Sequence, residues 1–324
     1  MEIGIAGLGH LGKIHLKLAG EISQLELKAV YDVNSEVLKS LPFQNDVKIC
    51  DNYDDLLNTC EAVLIITPTP THFDLASRAI KKGKHVFIEK PATDNAEDTK
   101  KLIHLAKEAG VIVQVGHVER FNPAFTAARN YIQNPFHIEI QRLATYNSRG
   151  TDVSVVLDLM IHDIDLVLTT VKSKIRKVLA SGAPVVSKTS DFAHARIEFE
   201  NGCIANITTN RIATQNVRHM EVYQKSNFIN IDLLNKITTV HTVQPLEGNT
   251  PKGILVDTPQ GQPKYEIIQN QPIIIPVNAI KTELEHFYES VINHAPVAVP
   301  LTDAENALLV IKSIEAQINQ GTDK

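Results

Sequence analysis

The chain is poor in the features that mark several classes of protein. Its 324 residues include only three cysteines, Cys50, Cys60 and Cys203, and no CxxC pair. Three scattered cysteines provide neither a disulfide framework nor a structural zinc site, so we expect reduced thiols in the core. No uninterrupted apolar run is long enough to span a bilayer, and no signal-peptide pattern opens the chain. We therefore expect a cytoplasmic protein.

Charge of one sign is not concentrated anywhere in the sequence. The chain has 32 Lys and Arg against 37 Asp and Glu, a formal net charge of −5. Without a long basic run there is no electrostatic footprint for nucleic acid or an anionic membrane, so the expected partners are small molecules. With 43% hydrophobic and 21% charged residues the composition is globular, and the length allows two domains.

What the chain does have is a glycine-rich turn at its beginning. Glycine lets the backbone turn sharply and approach a pyrophosphate, and the following helix, predicted from Lys13 to Ala19, presents free N–H groups and the positive end of its dipole. A predicted strand then ends at Asp32, about 20 residues further on, where a carboxylate accepts hydrogen bonds from ribose hydroxyls and repels a 2′-phosphate. The pattern predicts NAD binding by Asp32 and by the turn Gly7-Leu8-Gly9-His10-Leu11-Gly12.

The first 120 residues alternate short apolar runs with helical stretches. Buried parallel strands joined by crossover helices have this rhythm, which predicts a Rossmann-type, doubly wound parallel sheet in an α/β domain. The predicted strands are Ala62–Ile66, His85–Ile88 and Val111–Val115, and the predicted helices are Phe73–Lys82 and Glu97–Ala109.

Beyond about residue 120 the apolar residues recur at every second position, which predicts an α+β domain with an open, mainly antiparallel sheet. We expect an NAD-binding domain over residues 1–120 and a substrate-binding and oligomerisation domain over 121–324, with the C-terminal helix packing back on the first domain. Residues 247–262 are predicted to form a loop or ragged hairpin. The clearest segments are the strands His137–Leu143, Ala195–Phe199 and Cys203–Ile207, the turn at Asn201-Gly202, and the helices Val155–Thr170, Asn278–Ile292 and Asp303–Ile318 with Thr302 as N-cap.

Two segments follow strands of the first domain and are expected to border its ligand crevice. Glu89-Lys90-Pro91 ends one strand, and the proline favours an extended Lys90 whose ammonium is directed at the cofactor. The alternative is an ordinary surface lysine in a turn. The second segment, Thr67-Pro68-Thr69-Pro70-Thr71-His72, passes beneath the ribose or is a simple connector with Thr71 as N-cap.

Asp158 and His162 are spaced i, i+4, on one face of the helix predicted for the second domain. A histidine can take the hydroxyl proton that is released when an alcohol carbon loses hydride, and the aspartate can orient the imidazole or bind a neighbouring hydroxyl. A structural histidine is one alternative. A metal site with Asp163 or Asp165 is another, disfavoured because no second histidine or cysteine lies at ligand spacing.

Three polar side chains are candidates for contacts to an anionic or hydroxyl-rich substrate. Arg120 and Asn122 follow the last strand of the first domain, and Arg149 precedes the helix that carries Asp158. A guanidinium suits paired phosphate oxygens. A salt bridge at the domain linker is an equally open interpretation for Arg120.

The glycine turn, Glu89-Lys90-Pro91 and Asp158-x-x-x-His162, in this order, resemble the glucose–fructose oxidoreductase, inositol dehydrogenase and rhizopine-catabolism (Gfo/Idh/MocA) family over essentially the whole chain. The resemblance implies that Lys90 lies beside the nicotinamide and the substrate hydroxyl, that Asp158 and His162 complete the catalytic set, and that the second-domain sheet forms a homodimer or homotetramer. Residues 116–123 and 156–165 are similar to a subgroup of UDP-N-acetylglucosamine 3-dehydrogenases. Many members of the family have a run of glycines before the aspartate that corresponds to Asp158. In this chain the preceding residues, 149–157, do not form such a run.

The expected activity is that of an NAD-dependent dehydrogenase, in which hydride moves between the nicotinamide and a ring CH–OH carbon of a sugar, nucleotide sugar or cyclitol. Lys90 and His162 handle the hydroxyl proton, and the sequence leaves open which of them is the principal acceptor. The alternatives are a free hexose or inositol dehydrogenase, a keto-sugar reductase, and a non-catalytic NAD(H)-sensing regulator. The intact set Lys90, Asp158 and His162 disfavours the regulator.

Overall fold

The computed structural model describes residues 1–39, 47–147, 150–247, 252–256 and 265–322. The chain divides into two compact units. Unit 1 comprises residues 1–118 and 277–309, and unit 2 comprises residues 119–276 and 310–324.

Unit 1 is built on a six-stranded sheet in the order β3-β2-β1-β4-β5-β6, in which every neighbouring pair is parallel. The order reverses between β1 and β4, and ligands of doubly wound sheets bind at such a switch point. The expected Rossmann architecture is therefore confirmed. The strands are β1 Glu2–Ala6, β2 Glu26–Tyr31, β3 Lys48–Ile49, β4 Ala62–Ile65, β5 His85–Glu89 and β6 Val113–Gly116.

Some helices of unit 1 begin or end at residues with clear capping roles. Asn95 accepts the N–H of Asp98 at the start of α5, and Gly110 ends that helix with a φ of 66°. Near the C-terminus α8 packs Leu284, Phe287 and further apolar residues into the core. The helices are α1 His10–Ala19, α2 Ser35–Lys39, α3 Tyr53–Leu57, α4 His72–Lys81, α5 Ala96–Ala109 and α8 Ala279–Ile292.

Unit 2 contains a nine-stranded sheet in the order β14-β15-β13-β12-β11-β7-β10-β9-β8. The β7–β10 pair is parallel and the other pairs are antiparallel, so the sheet is mainly antiparallel, as the period-two alternation predicts. The strands are β7 His137–Thr145, β8 Ile175–Ala183, β9 Phe192–Phe199, β10 Ile204–Ala213, β11 Val217–Tyr223, β12 Asn227–Asp232, β13 Ile237–Pro245, β14 Ile254–Val256 and β15 Tyr265–Asn270.

The remaining helices show two differences from the expectations. The predicted helix 155–170 is π-helical over Val156–Met160 and becomes α-helical only at Ile161. The last helix already begins at Leu301, so Thr302 lies inside it and the predicted cap there is wrong. The α-helices are α6 Pro123–Arg129, α7 Ile161–Thr170 and α9 Leu301–Thr322, of which α9 contributes to both units.

Two further expectations concern cysteines and membranes. All three cysteines are buried free thiols, as predicted. Burial raises the pKa of the Cys60 and Cys203 thiols to about 11, so both are inert at neutral pH.

Within the described part of the chain, none of the helices combines the length and apolar character that crossing a bilayer requires.

Candidate functional site

The glycine turn of unit 1 is shaped by close backbone packing. Gly7 has a φ of 90°, and a Cβ added to it would lie 2.6 Å from the carbonyl oxygen of Ile66. A Cβ on Gly12 would lie 2.0 Å from the carbonyl oxygen of Gly7. A Cβ on Gly9 would instead have no atom within 4 Å, and no side chain caps the start of α1 there. The turn therefore leaves open space before the N-terminus of α1, which suits a phosphate.

Asp32, at the end of β2, is bonded to the same turn. Its Oδ2 accepts the backbone N–H of Leu8 at 2.6 Å, and its Oδ1 accepts the N–H of Asn34 at 2.8 Å. Leu8 is completely buried, so its N–H has no access to water. The carboxylate thus fixes the glycine turn. The sequence predicts only its ribose contact, because the bond to Leu8 joins two separate strand ends.

Unit 1 contains a cleft of about 740 Å³ at this position, within the size range of small-molecule sites. The predicted cofactor residues Leu8, Gly12 and His72 are not among the residues that line the cleft, and Leu8 and His72 are buried. The other predicted cofactor residues line the cleft: Gly7, Gly9, His10, Leu11, Asp32, Thr67, Pro68, Glu89 and Lys90.

His72 joins two of the loops that border this cleft. Its Nδ1 lies 2.9 Å from the carbonyl oxygen of Pro91, and its Nε2 lies 2.8 Å from that of Thr67. Thr71 precedes α4 as predicted, but its hydroxyl bonds to Pro68 and Thr67 and does not cap the helix. His72 therefore supports the loops after β4 and β5 from behind.

Lys90 directly follows β5 and lines the cleft. Its backbone N–H donates to Oε2 of Glu89 at 3.1 Å, and Oε1 of Glu89 lies 2.7 Å from Nε2 of His15. The Lys90–Pro91 peptide bond is cis. The backbone that carries the Lys90 side chain is thus held by a buried carboxylate.

Asp158 and His162 belong to unit 2, where both side chains are half-buried. Asp158 lies in the π-helical segment and His162 in the first turn of α7. π-helical turns are rare and often occur at functional sites. Gly150 has a φ of 73°, and a Cβ added to it would lie 3.5 Å from Oδ2 of Asp158. The loop before the helix therefore runs beside this carboxylate.

Arg211, which is not among the residues predicted from the sequence, holds that loop in place. Its guanidinium donates to the carbonyl oxygens of Gly150 at 2.9 Å, Val153 at 2.7 Å and Ser190 at 3.3 Å, and the residue is buried. The sequence feature that could have indicated this role is an arginine at an inward-facing position of β10, a strand in which buried and half-buried residues alternate.

Buried ion pairs surround the start of α7. Arg142 donates to both carboxylate oxygens of Asp163 and, through Nη1, to Glu119 at 3.0 Å. Burial acts to raise the pKa of Glu119, but Arg142 and Arg218 outweigh it, so the pKa lies below its usual value. Arg142 thereby occupies the Asp163 carboxylate that the metal-site alternative would use.

Arg120 and Asn122 also have contacts within unit 2. Arg120 donates through Nε and Nη2 to Asp165, at 2.7 and 2.6 Å. Asn122 caps α6 through Oδ1, and its Nδ2 donates to Glu119 and to the carbonyl oxygen of Leu233. These bonds favour the ion-pair interpretation of Arg120. The third candidate, Arg149, lies outside the described residues.

Comparison with known proteins agrees with the two-unit architecture. Residues 1–117 match a family described as an oxidoreductase family with an NAD-binding Rossmann fold, and residues 115–226 match the GFO/IDH/MocA C-terminal domain. This chain belongs to the Gfo/Idh/MocA oxidoreductase family. Its cofactor is NAD, and the open turn at Gly9 together with Asp32 fits a pyrophosphate and a ribose.

Relatives within the Gfo/Idh/MocA family extend over most of the chain. The UDP-N-acetylglucosamine 3-dehydrogenase of Acidithiobacillus ferrooxidans is 32% identical over 92% of this chain and 90% of its own. A solved structure of that enzyme has a TM-score of 0.86 and covers 98% of this chain and 97% of its own, at 28% identity. The myo-inositol 2-dehydrogenase of Thermotoga maritima is 27% identical over 75% of this chain and 78% of its own. The protein is an oxidoreductase of this sugar and cyclitol dehydrogenase family.

Proposed function

We propose that the protein is a nucleotide-sugar dehydrogenase, which oxidises the ring C3 hydroxyl of a UDP-N-acetylglucosamine-like substrate with NAD. The observation that carries the proposal is the similarity to UDP-N-acetylglucosamine 3-dehydrogenase, which covers 92% of this chain and therefore both units. The myo-inositol 2-dehydrogenase covers a smaller share at lower identity. A cyclitol is accordingly the second candidate substrate.

Bound NAD supplies the acceptor for the hydride that leaves the substrate carbon. The glycine turn and Asp32 hold its pyrophosphate and ribose. The resemblance assigns Lys90, Asp158 and His162 to the same reaction. Lys90 as the neutral amine, or His162 as the neutral imidazole, takes the hydroxyl proton, and Asp158 orients the imidazole or binds a neighbouring hydroxyl.

The test is turnover measured by NADH formation. The panel contains UDP-N-acetylglucosamine, UDP-glucose, N-acetylglucosamine, glucose and myo-inositol, and each compound is incubated with NAD. The reverse reaction is measured by incubating the corresponding keto product, where available, with NADH. We expect the highest kcat/KM with UDP-N-acetylglucosamine. NADH from myo-inositol or glucose and none from the UDP-sugars refutes the nucleotide-sugar assignment. Tight NADH binding without turnover of any substrate favours the sensing regulator.

Assembly and location form a separate part of the proposal. The strands β9, β10 and β11 alternate buried with half-buried residues, which leaves one face of the sheet incompletely covered within unit 2. We propose that this face forms the contact of a homodimer or homotetramer. Sedimentation equilibrium measures the assembly, and a monomer at micromolar concentration contradicts it. A cytoplasmic location stays a prediction from the sequence.

A further inference from the structure

Unit 1 contains a buried cluster of three titratable side chains behind the cleft. His15 lies on α1, Glu89 at the end of β5, and Glu283 on α8. His15 and Glu283 are 0% exposed and Glu89 is 7% exposed. One nitrogen or oxygen atom from each side chain lies within 4.8 Å of the corresponding atoms of the other two. We call these residues the buried triad.

The contacts of the two carboxyl groups differ sharply. Both oxygens of Glu89 have a partner: Oε2 accepts from the Lys90 N–H at 3.1 Å, and Oε1 lies 2.7 Å from Nε2 of His15. Neither oxygen of Glu283 has a hydrogen-bond partner among the described residues, and Nδ1 of His15 has none either. Glu283 is thus the least compensated member of the triad.

Charge balance restricts the protonation of these groups. Two carboxylates beside a neutral imidazole would bury a charge of −2 away from water, which is strongly unfavourable. Either a proton or a metal cation must offset it. Because Nε2 of His15 and Oε1 of Glu89 are only 2.7 Å apart, a hydrogen bond joins them directly. Ligands of a tetrahedral zinc ion lie about 3.4 Å from each other, given zinc–ligand distances of about 2.1 Å, so the geometry favours a proton.

The surroundings provide no other compensating group among the described contacts. Strand β6 presents Gln114, whose side-chain amide donates to the backbone carbonyl of Glu283 at 2.8 Å. A Cβ on Gly116 would lie 3.1 Å from the Glu89 carboxyl, so β6 closes tightly on that group. Phe87 packs against the His15 ring, with centroids 5.6 Å apart. Burial, followed by the charge of Glu89, raises the pKa of Glu283 well above its ordinary value.

We propose that Glu283 is held as a neutral carboxylic acid, and that this leaves Glu89 as the ionised acceptor that fixes the Lys90 backbone. His15, Glu89 and Glu283 then act as a positioning group for Lys90. The inference rests on the proposed function only in treating Lys90 as a catalytic residue. A second negative charge at Glu283 would compete with Glu89 for the one N–H group of the His15 ring. This competition would weaken the hydrogen bonds by which Glu89 fixes the Lys90 backbone.

Protonation of Glu283 is tested by the pH dependence of unfolding. The folded state retains a proton that the unfolded chain releases, so wild-type stability falls as pH rises above the unfolded pKa of about 4.3 and towards the folded pKa. In that window the folding equilibrium constant of the wild type falls relative to Glu283→Gln by about tenfold for each pH unit. Urea unfolding between pH 5 and pH 9 measures this difference.

A matched control lies on the same helix. Glu285 is exposed, so Glu285→Gln should keep the wild-type pH slope. Infrared spectroscopy of the wild type and of Glu285→Gln should show the carbonyl band of a buried protonated carboxyl, which Glu283→Gln lacks. Equal pH slopes in the wild type and in Glu283→Gln, or the absence of that band from the wild type, overturns the proposal. A stoichiometric divalent metal in the purified protein, lost in Glu283→Gln, overturns it in favour of a metal site.

Positioning is tested without substrate. Hydrogen exchange at the Lys90 amide should be about tenfold faster in Glu89→Met, whose side chain has no oxygen to accept the Lys90 N–H, as expected for loss of a hydrogen bond worth about 1.4 kcal/mol. It should be unchanged in Glu285→Gln. Where a substrate is turned over, kcat of Glu89→Met should fall about tenfold while KM is retained. Unchanged Lys90 exchange in Glu89→Met refutes the positioning role. Because exchange and unfolding need no turnover, a wrong substrate assignment leaves these results interpretable.

Discussion

Asp32→Asn tests both roles of the residue that ends β2. The wild-type carboxylate accepts from the Leu8 N–H at 2.6 Å and from the Asn34 N–H at 2.8 Å. Asparagine keeps one acceptor oxygen, turns its NH₂ group towards the other N–H, and removes the negative charge. Because the size of the side chain is conserved, this variant separates charge from packing better than alanine does.

Two effects of different magnitude are expected. One charge-assisted hydrogen bond is lost, which destabilises the folded protein by about 1.5 kcal/mol, at the lower end of the usual range because Asp32 is half-exposed. Like charges about 4 Å apart repel by about 1 kcal/mol in water and about 4 kcal/mol near a protein surface. Taking about 2 kcal/mol for Asp32 and a 2′-phosphate, the preference for NADH over NADPH should shrink by about thirtyfold.

Fluorescence titration with NADH and NADPH measures the binding ratio, and urea unfolding measures stability. Asp51→Asn, an exposed change in the same unit, is the control and should alter neither. Wild-type protein that binds NADPH as tightly as NADH contradicts the charge argument. An unchanged ratio in Asp32→Asn contradicts it as well, whereas unchanged stability would show that the bond to Leu8 contributes little.

Three further outcomes are expected. Lys90→Met and His162→Asn should each lower kcat by about 10²–10⁴ while the NADH Kd changes by no more than a few fold, as stopped-flow turnover and fluorescence titration would show. Arg142→Met should lower the unfolding free energy by about 3–5 kcal/mol in urea, because two buried carboxylates lose their cation, whereas the exposed Arg176→Met should have a much smaller effect. The pKa of Glu119 is lowered in the folded state, so the ionised carboxylate stabilises the folded protein above the unfolded pKa of about 4.3, and this stabilisation is lost on acidification. The urea midpoint of the wild type should therefore fall steeply from pH 5 to pH 3. The midpoint of Arg142→Met should fall less steeply.

Local signals determine much of unit 1. The glycine turn, the strand before it and Asp32 lie within one βαβ unit, where short-range geometry decides the conformation, so the sequence predicts them correctly. Period-two alternation likewise predicts β7, β9 and β10 of unit 2. It does not predict that β7 and β10 are parallel neighbours, because that pairing joins segments more than 60 residues apart.

Side-chain partners from distant elements required the tertiary structure. The sequence allows Asp163 and Asp165 as metal ligands and Arg120 as a phosphate contact, since each charge alone is compatible with either use. Only the folded chain brings Arg142 to Asp163 and Arg120 to Asp165, at separations of 21 and 45 residues. The buried triad likewise joins α1, β5 and α8. Composition and periodicity fix which faces are buried, but the partner of a buried charge depends on chain topology, because desolvation makes pairing obligatory without specifying the partner.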